Sequence, residues 1–360
     1  MFDLMSSDTD TYNSLANKYG NFREPAVRLY VDGSDVVQEL QLSIHSAEII
    51  LSLSEASTAV IRLNDVYDQE TQSFDSKVKN KFKLGTVVEV GIGYQSEIQK
   101  VLKGYVASLG AEFGKNIWLV ITVADVRRLM MTSGVHQVLY DVKNYSDAVQ
   151  TVLGRYSKLC TPEIEATDDK LEKPLSQKSN DYDFITKELI AAGCCNREFL
   201  VMGNKAYFRK PHGGAEVICS LKPGKGLEKF KVESEYTDLQ VDVTGYNQQE
   251  QSVVKASATV KSTQPFSSVM TSTPVHIIAS PEMDTQDKAG VCAQYYADRR
   301  LALGQKGRGI CVGLPELMPG GYVEVVTPEE IANKKFYIQK VRHKINIKGF
   351  YTEFQTRGWT

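Results

Sequence analysis

The sequence contains no long apolar run and no leader-like N-terminus. No stretch approaches the roughly 20 consecutive apolar residues that a membrane-spanning helix needs. The first residues, MFDLMSSDTDTYNSLANKYG, lack the basic segment and apolar core of a secretory signal. We therefore predict no signal peptide and no stable membrane insertion. The protein is expected in the cytoplasm during assembly and outside the cell only after lysis or as part of an assembled particle.

Strong net charge is also absent. The 42 Lys and Arg residues nearly balance the 44 Asp and Glu residues, which gives a formal net charge of -2. Because no global basic field exists, nucleic acid is not an expected partner. The chain has 360 residues, of which 42% are hydrophobic. This length and composition predict a folded protein of two or three domains.

Metal-ligand spacing is missing as well. The six cysteines contain no C-x-x-C pair, and the five histidines show no H-E-x-x-H pattern. Given cytoplasmic synthesis, we expect reduced and mostly buried thiols, structural histidines, no metal site and no cofactor. The residues concerned are Cys160, Cys194, Cys195, Cys219, Cys292, Cys311, His45, His136, His212, His276 and His343.

Patterns that would support catalysis are equally weak. The closest group of carboxylates consists of Glu163, Glu165, Asp168 and Asp169. It lies in a polar stretch where the desolvation that raises a carboxyl pKa is not expected. Residues 91–93 lack the third glycine of a dinucleotide loop, and the glycine-rich segments 222–226 and 304–309 do not match a phosphate-binding loop and predict turns. We predict no catalytic residues and no enzymatic activity.

Short strand patterns dominate the first third of the chain. A turn at Asp32 and Gly33 separates two apolar runs. Residues 38–46 then alternate, with Leu40, Leu42 and Ile44 on one face, which predicts a half-buried strand. Segments 82–95, 100–114 and 116–130 add three further strands rich in β-branched and aromatic residues. An all-β unit, either a small barrel or a sandwich, is therefore predicted from about residue 26 to 131.

The period changes to that of helices in the middle of the chain. Segment 144–158 predicts a helix that Ser146 or Asn144 would cap. Segment 180–193 predicts a second helix, with Asn180 as cap and Gly193 at its end. A hairpin turning at Gly203 and Asn204 follows, so residues 135–215 predict a small α+β domain.

Strands return from about residue 230. Segments 230–236, 239–247 and 253–260 predict strands, 261–273 an exposed loop, and 285–303 a helix. Four more strand patterns end the chain. There is a faint internal echo, since the six residues starting at Gly85 (GTVVEV) resemble the six starting at Gly321 (GYVEVV). This echo predicts two similar β units on either side of the α+β domain.

The C-terminal patterns resemble those of the late control protein D and valine–glycine-repeat spike families. The segment 315–320 has their P-x-L-x-P-G pattern, 336–343 their Y/F-x-I/V-x-x-V-x-H pattern, and 349–352 their last strand. Segment 176–185 resembles their Q…S-D-x-D-F-L helix, with Asn180 and Ile185 where Ser and Leu are typical. The resemblance extends over about residues 26–357.

This resemblance implies a mainly β fold in which two tube-like β-barrel domains flank a small α+β domain. The implied division is an N-terminal arm or helix (1–25), barrel 1 (26–134), the inserted α+β domain (135–229) and barrel 2 (230–360). It also implies a homotrimer whose six barrels match a hexameric tail tube on one side and a trimeric spike on the other.

The implied function is that of a baseplate central hub in a contractile phage tail, tailocin or injection system. Because the chain ends at Thr360 without a needle-like domain, the spike is expected to be a separate polypeptide. The other expected partners are the tail tube or a tube-initiator protein, further baseplate proteins and, as an additional candidate, the tape measure protein. Two alternatives stay open: a tail-associated peptidoglycan hydrolase, and a carbohydrate- or receptor-binding β module.

Overall fold

The computed structural model describes residues 9–171, 173–193, 195–211, 216–261 and 272–357. The described chain begins with strand β1 (Asp10–Thr11) and helix α1 (Tyr12–Lys18). Thr11 caps α1, because its side chain accepts a hydrogen bond from the Ser14 N–H. A short helix capped near Asp8 is the sequence-based prediction, and Asp8 itself lies outside the described residues.

The first β unit follows α1 and contains six principal strands. Its elements are β2 (Pro25–Val31), β3 (Ser34–Asp35), α2 (Val36–Glu39), β4 (Ser43–Ser52), β5 (Thr58–Asn64), β6 (Tyr67–Asp68), β7 (Ser73–Phe74), α3 (Ser76–Lys81), β8 (Val87–Tyr94), β9 (Glu97–Phe113) and β10 (Ile117–Ala124). The principal strands neighbour one another in the order β4-β5-β10-β9-β8-β2. No pair within the described ranges joins β2 to β4, so this unit is an open barrel.

Two strand predictions in this unit are wrong in their bounds. Residues 38–46 do not form one strand, because the Asp35 carboxylate accepts hydrogen bonds from the Val37 and Gln38 N–H groups and caps α2. The strand predicted over 116–130 ends at Ala124, since Asp125 caps helix α4 (Val126–Thr132) in the same manner. In both places a local cap prevails over a sequence that would also suit a strand.

The inserted α+β region has its own small core. Its further elements are β11 (Leu139–Tyr140), α5 (Tyr145–Gly154), β12 (Thr161–Ile164), β13 (Leu175–Ser176), α6 (Asp181–Asp183), a π-helix (Phe184–Ala192), β14 (Glu198–Met202) and β15 (Lys205–Arg209). Asn144, one of the two predicted candidates, caps α5, and Asn180 caps α6 as predicted. The predicted hairpin at residues 203–204 joins β14 to β15. The π-helical turn was not predicted.

The second β unit forms a closed six-stranded barrel. Its elements are β16 (Val217–Pro223), β17 (Gly226–Ser234), β18 (Leu239–Asn247), β19 (Ser252–Val260), β20 (Val275–Ala279), α7 (Gln286–Ala302), β21 (Gln305–Val312), β22 (Tyr322–Val325), β23 (Lys334–Asn346) and β24 (Gly349–Arg357). The ring runs β16-β17-β21-β24-β23-β22 and returns to β16. Strands β18–β20 and α7 form a separate layer with its own core.

Helix α7 confirms the helix predicted over residues 285–303. The Thr285 side chain caps it by accepting from the Lys288 N–H, and Leu303 is its C-cap. The predicted exposed loop at 261–273 lies mostly outside the described residues.

The two β units have the same strand order. When the principal strands of each unit are numbered in chain order, both read 2-3-6-5-4-1 along the sheet. The orientation of the first strand differs, since β2 is antiparallel to β8 whereas β16 is parallel to β22. This repeat confirms the predicted fold class of two β-barrel units with an α+β insert.

The sequence echo falls on the fourth strand of each unit. The alignment that starts at Gly85 and Gly321 is one residue out of register, whereas the shorter match of residues 88–90 with residues 323–325 is in register. The Gly85 N–H donates to the Val106 carbonyl (2.9 Å), as the Gly320 N–H donates to the Ile338 carbonyl (3.0 Å). Gly85 therefore corresponds to Gly320 and not to Gly321. Both glycines have positive φ, +85° and +91°, a conformation that favours glycine at such a turn.

The domain boundaries stay a prediction. Strand pairing bears on the last one, because Val217–Pro223, placed in the insert by the sequence, pairs with strands of the second barrel.

Candidate assembly interface

Among the residues that the structure describes, one antiparallel strand pair joins the two β units. Residues 47–52 of β4 lie opposite residues 340–345 of β23, with His343 opposite Ile49. This pair makes the strands of both units parts of a single 14-stranded sheet. A ladder between two barrels shows how one barrel of this type packs edge to edge against another.

The inner face of this β4–β23 strand pair, called the joint below, is buried. Ile49, Leu51 and Val341 are at most 1% exposed and belong to one hydrophobic cluster that includes core residues of both units. Burial of such aliphatic side chains contributes about 1.5–3 kcal/mol each. The joint is therefore a continuation of the core.

The outer face of the joint carries complementary charges. Arg342 forms an ion pair with Glu48, the Lys344 ammonium lies 2.6 Å from Glu353, and the Lys340 ammonium lies 2.6 Å from Glu55. These partly exposed pairs contribute little individually. They do fix the register, because a shift by one residue would place charged side chains on the inner face.

His343, the one histidine in this joint, is part of the core. It is fully buried, and its Nδ1 lies 3.0 Å from the Thr352 hydroxyl. Burial disfavours the imidazolium and lowers the pKa of His343 to about 3. The side chain is therefore neutral at physiological pH and has the structural role that the sequence predicts.

A buried ion pair anchors the insert to the first β unit. Asp125 and Arg127 are fully buried and lie 2.7 Å apart. The guanidinium also donates to the carbonyls of Ser52 and Leu53, and Asp125 accepts from the Ser57 N–H at 2.8 Å. The β4–β5 turn and the start of α4 are thus held by one hydrogen-bonded network.

A second network fixes the insert to the closed barrel. Arg209 on β15 contacts Glu198 at 2.8 Å and donates to the Gly320 carbonyl at 2.8 Å. The Tyr337 hydroxyl donates to the same Glu198 carboxylate. Burial and the nearby Glu198 raise the pKa of Tyr337 well above its ordinary value. Gly320 and Tyr337 belong to the patterns at 315–320 and 336–343.

The N-terminal segment packs against the same C-terminal pattern. Glu316 is 3% exposed; it accepts a hydrogen bond from the Tyr19 hydroxyl and lies 2.8 Å from the Lys18 ammonium. Strand β1 adds a parallel pair with β16. The N-terminal segment therefore lies against the second barrel although it precedes the first in sequence.

Three other histidines lie in three different local contacts. His45 stacks on Trp118, His136 lies 3.8 Å from Asp181, and His276 lies near the Tyr296 ring. His212 lies outside the described residues. No group of three or more potential metal ligands occurs in the part of the chain that the structure describes.

The carboxylates near residue 165 are separated into local contacts. Glu163 lies 3.1 Å from the Lys205 ammonium, Glu165 accepts from the Lys210 N–H, and Asp169 accepts from the Tyr145 N–H. These contacts join the insert's own elements, and the structure places no two of these three side chains in a hydrogen bond with each other.

The cysteines that the structure describes are mostly buried. Cys160, Cys219, Cys292 and Cys311 are buried and Cys195 is half-buried, which agrees with the prediction; Cys194 lies outside the described residues. Burial raises the pKa of the Cys160 thiol to about 11. Such thiols are poor nucleophiles.

The two glycine-rich segments differ from each other. Residues 222–226 form the predicted turn between β16 and β17. Residues 305–309 form strand β21 and not a turn, because Gly307 and Gly309 leave room for aromatic rings. A Cβ at Gly309 would stand 2.1 Å from the Phe354 ring.

The strand pair between the units was not predicted. The structural feature that favours it is strand length, since β23 has 13 residues whereas its barrel neighbour β22 has 4. The excess residues extend past the barrel neighbour and offer an edge to another strand.

The family model described as the Alg8 N-terminal domain matches residues 24–346. The chain belongs to this family. The matched residues include the first β unit, the insert and the second β unit as far as the end of β23. No curated protein matches its sequence. No helix in the described segments is long and apolar enough to cross a membrane.

Solved structures share the fold at low sequence identity. The tail protein from Neisseria meningitidis MC58 is 12% identical, with a TM-score of 0.69, over 93% of this chain and 97% of that chain. The 43 kDa tail protein of prophage MuSo2 from Shewanella oneidensis is 11% identical, with a TM-score of 0.66, over 92% and 97%.

A secretion-system protein has the same fold. The E. coli c3393 protein, a component of the type VI secretion system with structural similarity to the T4 bacteriophage tail proteins gp27 and gp5, is 11% identical. Its TM-score is 0.59 over 92% of this chain and 77% of that chain. This chain therefore shares its fold with these tail and type VI secretion proteins.

Proposed function

We propose that the chain is the structural baseplate hub of a contractile tail-like particle, a trimeric adaptor between a hexameric tail tube and a trimeric central spike. The observation that carries the proposal is the repeated β unit. Each chain contributes two units with the same strand order, joined by a ladder. Three copies would contribute six similar barrels, so a threefold particle would offer a near-sixfold surface.

The architecture suits a rigid ring. The β4–β23 ladder and the Arg127 and Arg209 networks fix the two β units and the insert to one another. A part that transmits force between a tube and a spike requires this kind of internal rigidity. The similar solved structures, two tail proteins and a secretion-system component, support the same role. We also propose that the chain has no enzymatic activity and that it is related to the late control protein D and valine–glycine-repeat spike families.

The test is the mass of the purified chain in solution, measured by light scattering, alone and in the presence of the spike protein of the same particle. We expect a trimer in at least one of the two conditions. A chain that stays monomeric in both contradicts the proposal. Hydrolysis of purified cell walls by the isolated chain would instead favour the peptidoglycan hydrolase.

A further inference from the structure

Within the described residues, two strand edges of the β units lack a partner over part of their length. On the side away from β10, β9 pairs with β8 only as far as Tyr105, so that edge is free over residues 108–113. On the side away from β21, β17 pairs with β16 only at Gly226 and Leu227, so that edge is free over residues 229–234. Free strand edges are templates for pairing with another chain.

The internal repeat identifies both edges as counterparts of the β4–β23 joint. Strands β9 and β23 are the fifth strands of their units, and β17 and β4 are the second strands. The β4–β23 ladder therefore uses the second-strand edge of unit 1 and the fifth-strand edge of unit 2. The two free edges are the same two positions with the units exchanged.

Irregularities in the ladders fix the correspondence residue by residue. Ala107 is the extra residue of β9 opposite β10, and Gln339 is the extra residue of β23 opposite β24. His45 in β4 and Glu228 in β17 are likewise extra residues opposite their third strands. Such bulges are features of a fold and not accidents. When the bulges of the two units are aligned, Glu112 corresponds to Lys344 and Lys231 corresponds to Glu48.

We propose that residues 109–113 of β9 form an antiparallel ladder with residues 230–234 of β17 in a second copy of this chain. The register of the joint within the chain, transferred through the repeat, places Ala111 opposite Val232 and Glu112 opposite Lys231. In the joint within the chain, Lys344 lies opposite Glu48. The proposed ladder has the same pair of opposite charges with the signs exchanged.

The exposure of residues on the β9 edge fits a missing neighbour. Phe113 is 68% exposed, whereas Ile345, its counterpart in the paired edge, is 8% exposed. Ala111 is exposed, whereas its counterpart His343 is fully buried. Ala111 and Phe113, which would face inward, are thus small or apolar but open to water in a single chain. Pairing with a second copy would cover them as the joint covers their counterparts.

The charged side chains of both edges are compatible with this pairing. Glu112 lies 2.9 Å from Arg62 of its own chain, and Lys231 contacts Glu233 in an exposed pair. In the proposed register Glu233 lies opposite Gly110. The Arg62 side chain, which forms the ion pair with Glu112, lies close to this position. The four charges therefore alternate in sign across the ladder, which favours this register over a shifted one.

The number of copies in a closed ring rests on the proposed function, whereas the strand pair rests on the repeat. The test is disulfide formation in the double variant Glu112→Cys/Lys231→Cys of the full chain. Directly opposite residues have Cα atoms about 4.5–5.5 Å apart, within the range a disulfide accepts. We expect covalent dimers and trimers after mild oxidation, with the 112–231 link identified by mass spectrometry of peptides.

Three controls define the result. The variant Glu48→Cys/Lys344→Cys should form a disulfide within one chain. Its yield is the reference for two cysteines that lie directly opposite each other. Glu112→Cys/Lys229→Cys, two residues out of register, and each single variant should give little covalent oligomer. A trimer in solution whose 112–231 pair cross-links no better than the single variants overturns the strand pair and leaves the proposed function standing. A monomer, alone and with the spike protein, overturns both.

Discussion

Replacing Arg127 with methionine would leave a buried carboxylate without its partner. Arg127 and Asp125 are both 0% exposed, and the guanidinium also satisfies the carbonyls of Ser52 and Leu53 and the Ser57 hydroxyl. Removing one member of a buried pair costs about 3–5 kcal/mol, because the remaining charge stays desolvated. We expect Arg127→Met to lower the free energy of unfolding by that amount.

The assay is urea denaturation of the full chain, followed by circular dichroism. Lys187→Ala is the matched control, because Lys187 forms an ion pair with Asp183 at 2.9 Å on the surface and is 71% exposed. Such a pair contributes about 0.3–0.5 kcal/mol. The double variant Asp125→Ala/Arg127→Met should recover part of the loss, since no charge is left buried. A loss below about 1 kcal/mol for Arg127→Met, similar to the control, would refute the reasoning.

Two further predictions concern the closed barrel. Because burial lowers the pKa of His343 to about 3, the unfolded chain binds the proton more readily than the folded chain, so the contribution of His343 to stability is complete above about pH 6.5 and falls as the pH decreases from 6.5 towards 3. The wild-type chain should therefore lose more stability over that pH range than the variant His343→Gln. Equal pH dependence of the two proteins would contradict the burial argument. Gly309→Ala should lower the stability by about 1–3 kcal/mol, because the new Cβ would meet the Phe354 ring at 2.1 Å. Gly290→Ala in α7, where the structure leaves open space, should be neutral or stabilising. Thermal unfolding of both variants measures the difference, and equal effects would contradict the packing argument.

Local patterns predicted the elements that local chemistry determines. The caps at Asn144 and Asn180 are side-chain hydrogen bonds to N–H groups three residues ahead, so the sequence alone indicates them. The hairpin at Gly203 depends on a single residue with positive φ. These features form in the same way whatever packs around them.

Contacts between distant parts of the chain were beyond such patterns. The β4–β23 ladder pairs residues about 290 positions apart, and an alternating strand looks the same whether its edge meets a barrel neighbour, another unit or water. Likewise, the hydrogen bonds of Arg127 depend on where the β4–β5 turn comes to lie. A short cap also overrode the alternating pattern at residues 38–46, because propensity for a strand is weak without a neighbour to pack on.

Imaging the assembled chain by electron microscopy tests the central claim most directly, since it shows copy number and barrel arrangement together. The proposed hub predicts a ring of three chains in which six similar barrels surround the axis, with each β9 edge against the β17 edge of the next copy. A particle in which the chain remains a single copy, or in which the two barrels of a chain do not lie in one ring, would contradict the account.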